Sequence, residues 1–164
     1  MTMKNGLKLK TLIFLILSFL IFPLFGRTET SSNSLPLMKE SDAYKEYLKR
    51  PQSELSKVLF LIDRFKNTEF KVIYGGDEYD SNFGVTMARQ FLILNYKNET
   101  ADRWVKTHTY LSEPEGQIIY LKYPKGDRRP ARDVLLEELR DLDNLEALKG
   151  QNVQPFKGKK DGKV

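Results

Sequence analysis

Lys4, Lys8 and Lys10 head an unbroken apolar run from Thr11 to Phe25, closed by Gly26. A basic start followed by an apolar stretch of this length has the form of a secretory signal. The run is 15 residues long, short of the roughly 20 that span a bilayer as a helix, and Pro23 weakens it further as a continuous helix. The expectation is a signal peptide over 1–26, removed on export to the periplasm or the outside of the cell. Export withdraws those residues from the fold. The alternative is an uncleaved anchor in the inner membrane through residues 11–25. It stays open because Leu24 is large where a cleavage site favours a small residue.

The formal net charge of +5 resides in the two ends. The leader carries three lysines and no acid. The tail from Lys149 holds Lys149, Lys157, Lys159, Lys160 and Lys163 against Asp161. Taking the leader's +3 and the tail's +4 from the chain's +5 leaves −2 over Arg27–Leu148. A body of that balance offers no basic face for nucleic acid. Membrane contact is confined to an uncleaved N-terminus or to the basic tail at 149–164, which reads as disordered. The chain has no cysteine, so disulfides cannot staple it. The body of about 120 residues must hold itself together with one hydrophobic core.

After a flexible lead at 27–38, one α+β domain is expected over 39–148. Tyr44, Tyr47 and Leu48 give helical spacing before Pro51, a residue suited to the first turn of a following helix. Leu55, Val58, Leu59, Ile62 and Phe65 form a stripe of 3.6 period over 52–66, with Phe60 and Leu61 widening it and Glu54, Lys57, Asp63 and Arg64 mostly off it. Phe70–Tyr74 reads as a strand into a Gly75-Gly76 hairpin turn, with Glu78-Tyr79 returning. Asp80 or Ser81 caps a helix to about Tyr96, its buried side supplied by Met87, Ala88, Phe91, Leu92 and Leu94. Gly84 inside that helix costs about 1 kcal/mol unless a neighbour packs closely on it. Thr100 caps a short helix to about Thr107, and 108–116 reads as a loop. Gln117–Tyr123 is a second strand, and a last helix runs from Pro130 and Ala131 to about Leu148 on Leu135, Leu139, Leu142 and Leu145. The fold class that follows is a small antiparallel or mixed sheet of two to three strands with four to five helices packed on it.

These landmarks resemble a family. The helix from Glu54-Leu55, the aromatic strand into Gly75-Gly76, Tyr79 and the helix with Ala88 come first. Thr100-Ala101-Asp102, the pair Trp104-Val105, the loop to Gly116, the tyrosine strand and the helix with Leu135 and Glu138-Leu139 follow. The order is similar to the small exported bacterial proteins of the domain of unknown function 5329 family (YfeK-like) over about residues 52–145. The resemblance implies export and names no reaction. Three places depart from the family pattern. Tyr74 and Gly75 stand where the family has a basic residue and Asn before the turn glycine. Gln90 stands where it has a His. Ser112 alone remains of a serine pair.

The remaining chemistry is sparse. His108 is the only histidine; with Ser112 in the same loop and Asp102 upstream it writes a nucleophile–base–orienter set, yet no G-x-S-x-G elbow surrounds Ser112. A loop histidine is the simpler reading. Asp77, Glu78 and Asp80 could ligate a hard cation, but their spacing is that of a turn and a helix cap, not of an EF-hand. One His and no Cys leave no zinc set, and Gly75-Gly76 lacks a phosphate-loop frame. No metal and no cofactor is expected. Tyr74, Tyr79, Trp104 and Tyr110 are the candidate binding patch, since such rings favour surfaces half apolar and half wet. The expected function is a non-enzymatic exported domain that binds another envelope protein or envelope component. Against it stand a small hydrolase or transferase using His108 and Ser112, and a membrane-tethered accessory domain.

Overall fold

The structure, a computed structural model, describes residues 35–151. The leader at 1–26, the lead up to residue 34 and the tail beyond 151 lie outside the described residues.

The domain is α+β, with five helices and a four-stranded antiparallel sheet. A 3₁₀ turn at Met38–Glu40 leads into α1 (Asp42–Lys49) and α2 (Glu54–Asp63). The hairpin β1 (Lys71–Tyr74) and β2 (Asp77–Asp80) follows, then α3 (Ser81–Asn95) and α4 (Ala101–His108). β3 (Tyr120–Lys122), β4 (Arg128–Pro130) and α5 (Ala131–Gln151) complete it. The strand order is β2-β1-β3-β4, so the sheet holds four strands where two to three were expected. β4 escapes a pattern reading because Arg128-Arg129-Pro130 has little strand propensity. Pro130 is tolerated there because β4 is an edge strand.

Four helices start on a side chain that accepts an orphan backbone N–H. Ser41 takes Tyr44 N, Ser53 takes Ser56 N, Asp80 takes Phe83 N, and Thr100 takes Arg103 N. Ser53 is thus the cap of α2, and Pro51 lies ahead of it instead of in the first turn; its carbonyl accepts from Ser56 Oγ at 2.7 Å. The hairpin turn is two residues long, with Gly75 at φ +59° and Gly76 at φ +89°. Positive φ at both central positions is what a tight hairpin matching strand twist requires.

Pairing in register puts Tyr79, Val72, Leu121 and Arg129 in one cross-strand row. The next row over holds Glu78, Ile73, Tyr120 and Pro130, the row on the other side Asp80, Lys71, Lys122 and Arg128, and Tyr74 pairs with Asp77 beside the hairpin turn. Glu78 bridges Lys71 at 2.7 Å and Lys122 at 2.6 Å, and Arg128 lies over Tyr120 at 5.1 Å. α3 packs on β1 and β2, α5 on β3 and β4, and α2 touches each of the other four helices. That central position explains why Val58, Phe60 and Leu61 are fully buried.

The core departs from the simple stripes at several places, among them Leu55 of the α2 stripe, which is exposed. Leu94 is 82% exposed, with Ile93 beside it at 81%, so Leu94 does not belong to the buried side of α3. Leu48 is also exposed. Conversely Asp63 and Arg64 are buried. Asp63 accepts Arg50 Nη2 and Arg89 Nε, both at 2.9 Å. Arg64 donates to Glu138 at 2.6 Å and to the Pro36 carbonyl at 2.9 Å. Buried charges persist when paired and hydrogen-bonded in this way.

Candidate functional site

A cavity of about 200 Å³ opens between the hairpin, α3, α4 and the segment 109–119. Its deep wall is core: Ile62 from α2, Phe65 from the turn after it, Leu121 from β3 and Leu135 from α5. Tyr74, Tyr79, Phe91, Trp104 and His108 bring aromatic rings to it. Leu111 and Glu113, both exposed, stand at the opening.

Sheet pleat and helix period place these groups. Tyr79 and Leu121 flank Val72 in one row, so all three side chains point to the same face and line the cavity. Trp104 and His108 are four apart on α4 and meet at 5.7 Å between ring centroids. Phe91 reaches His108 edge-on at 5.4 Å. α4 is itself pinned at its start, where the Ala101 N–H donates to Glu54 Oε2 at 2.7 Å. Gly84 lets α3 come down on β1: a β-carbon there would sit 2.6 Å from Val72 Cγ2.

Three hydroxyls on the lining are bonded within the protein. The Tyr74 hydroxyl donates to the Glu113 carbonyl and accepts from its N–H. Ser81 Oγ donates to Thr68 O, and Thr109 Oγ donates to Val105 O, both at 2.7 Å. The Trp104 indole N–H has no partner among the described residues, but it is fully buried in this conformation.

Of the four expected binding residues, Tyr74, Tyr79 and Trp104 share this cavity. Tyr110 does not line it; its ring lies under Arg132, 3.9 Å from the guanidinium. His108 is the last residue of α4 instead of a loop residue, and lines the cavity. Its Nε2 lies 3.5 Å from Glu99 Oε1. Ser112 is 2% exposed, does not line the cavity and shares no hydrogen bond with His108. It closes a turn instead: its N–H donates to Gln117 O at 2.8 Å, its carbonyl accepts Gly116 N, and its Oγ accepts Gln117 N. Asp102 pairs with Lys106 at 2.9 Å. Asp80 is the cap of α3 and Glu78 is held by two lysines. Among the described residues no cluster of three or more His, Cys, Asp or Glu could hold a metal ion.

Phe91, Met87, Leu111, Glu113 and Glu99 were not singled out by the sequence. Phe91 and Met87 read only as the buried side of their helix. A second hollow of about 520 Å³ lies between Leu35–Met38 and α5. Its arginines are taken: Arg64 by Glu138 and Arg129 by Glu137. No family model, no curated protein and no solved structure matches the chain.

Proposed function

We propose that this is an exported, non-enzymatic binding domain whose site is the aromatic cavity between the hairpin, α3 and α4. The observation that carries the reading is the gathering of Tyr74, Tyr79, Phe91, Trp104 and His108 around about 200 Å³ of space. Concave, mostly apolar pockets with few polar groups are the usual form of small-ligand sites. Export is supported by the leader, and the resemblance to the 5329 family, which rests on short motifs, points the same way. A mature chain shorter by about 26 residues, measured by mass on protein from an expressing cell, tests export; an intact N-terminus supports the tethered accessory domain instead.

Trp104 is the sole tryptophan, so its indole N–H gives one resonance to follow. Toluene added to the purified protein is expected to shift that resonance saturably. Ala88→Phe, which fills the lining, is expected to abolish the shift while the protein stays folded. An unmoved indole signal at saturating toluene removes the binding reading.

The contact between His108 and Glu99 favours a second reading, in which His108 acts as a general base oriented by a carboxylate. Ser112 is not its nucleophile in this arrangement. Turnover of a substrate that is lost in His108→Gln but kept in Ser112→Ala would support that reading.

A further inference from the structure

We propose that the ligand of this cavity is an organic cation, an ammonium group carried on a small apolar body. The proposal rests on the cavity being a binding site and goes on to its chemistry. Three observations carry it.

The first is the walls. Four of the lining rings (Tyr74, Tyr79, Phe91 and Trp104) belong to the residue types whose faces attract a cation within about 6 Å. Tyr79 has one partner ring, Phe83, stacked at 5.0 Å, which fixes its plane.

The second is charge. Among the lining side chains Glu113 carries the one formal charge without an ion pair among the described residues. Any charge on His108 meets Glu99 in place, at 3.5 Å. The neighbouring cations are committed elsewhere, Lys106 to Asp102 at 2.9 Å and Arg132 to Asp133 at 3.1 Å. The peptide of Glu113 is fixed to the Tyr74 hydroxyl, which keeps the residue on the lining next to Tyr74. The Glu115 carboxylate lies close by over the turn, 3.4 Å from where a β-carbon on Gly75 would be. The opening therefore carries negative side chains, and no Lys or Arg lines the cavity to receive an anion.

The third is size and polarity. A dry apolar cavity of about 150 Å³ accommodates benzene, so the space here takes one ring or a short branched chain. With the Tyr74, Ser81 and Thr109 hydroxyls already bonded, a ligand rich in hydrogen-bonding groups would leave them unpaired on entry. The arrangement suits an apolar body against Ile62, Phe65, Leu121 and Leu135, with an ammonium at the opening between the Tyr74 ring and Glu113.

The test uses the purified protein as an expressing cell delivers it and three probes: benzyltrimethylammonium, its neutral isostere neopentylbenzene, and benzoate. Trp104 fluorescence and its indole resonance report binding. Benzyltrimethylammonium is expected to bind about fivefold tighter than neopentylbenzene, with added salt weakening only the cation. Benzoate is expected to bind weakest. Glu113→Gln, a change at an exposed side chain, should bring the cation's affinity close to that of the isostere. Equal or tighter binding of neopentylbenzene, comparable binding of benzoate, or an unchanged cation affinity in Glu113→Gln overturns the cation proposal and leaves the binding site standing. Silence of Trp104 to all three probes and to toluene overturns both.

Discussion

The Tyr74 hydroxyl grips both faces of one peptide residue: it donates to the Glu113 carbonyl at 3.0 Å and accepts the Glu113 N–H at 3.1 Å. These residues stand 39 positions apart. The bond ties the hairpin to the segment that closes the cavity. Tyr74→Phe keeps the ring and removes the tie. The expected loss is about 1 kcal/mol of stability by urea unfolding, with faster amide exchange at Glu113 and unchanged exchange in α2.

Asp63 tests the buried charges. It is 8% exposed and joins Arg50, after α1, to Arg89 on α3. Asp63→Asn leaves both guanidiniums without their carboxylate. Breaking such a pair on one side costs about 3–5 kcal/mol, so the urea midpoint should fall sharply at an unchanged slope. A loss under about 0.5 kcal/mol, the range of ordinary surface changes, would show that the cluster holds nothing together.

The acid side of the stability curve has named contributors. Hydrogen bonds from Lys122 and Lys71 hold the Glu78 carboxyl below its ordinary value, and the hydrogen bond from Arg129 does the same for Glu137. A carboxyl whose folded pKa is lowered stabilises the fold above its unfolded value, and that contribution disappears as pH falls through the folded value. Stability should therefore drop below about pH 4. Glu78→Gln with Glu137→Gln is expected to flatten that acid limb while leaving the neutral-to-alkaline limb in place, read by thermal melts across pH.

Leu94 should be replaceable. At 82% exposure it has little apolar burial to lose, and Leu94→Lys is expected to change stability by no more than about 0.5 kcal/mol. Leu92, two positions away and buried, should lose about 2–5 kcal/mol on truncation to Ala. Thermal melts of the two variants side by side check the contrast.

Gly84→Ala sets two effects against each other. Alanine gains about 1 kcal/mol in helix propensity, but its β-carbon meets Val72 Cγ2 at 2.6 Å, and overpacking costs about 1–3 kcal/mol. The net expectation is a modest loss of stability in Gly84→Ala, recovered when Val72→Ala is added. A gain in the single variant would show that α3 lifts freely from β1.

Local chemistry was legible where it acts over a few residues. The caps at Asp80 and Thr100, the Gly75-Gly76 turn and the leucine stripe of α5 follow from spacing, and each stands close to where spacing puts it. What stayed hidden depends on partners far along the chain. Asp63 and Arg64 look like a solvated helix end until Arg89 and Glu138 arrive from α3 and α5. β4 exists because Leu121 and its neighbours offer it an edge, not because Arg128-Arg129-Pro130 favours extended backbone. At the cavity, the clustering of Tyr74, Tyr79 and Trp104 was within reach of aromatic composition. The exchange of Asp102 for Glu99 beside His108 was not, since both carboxylates precede it on the same stretch and only the turn of α4 decides which one meets the ring.

The contact between Gly84 and Val72 has a consequence for what the domain can admit. The closeness of helix and sheet rests on the β-carbon that Gly84 lacks, so any larger residue there drives α3 away from Val72 and alters the chamber from its floor, without touching one of the rings around it.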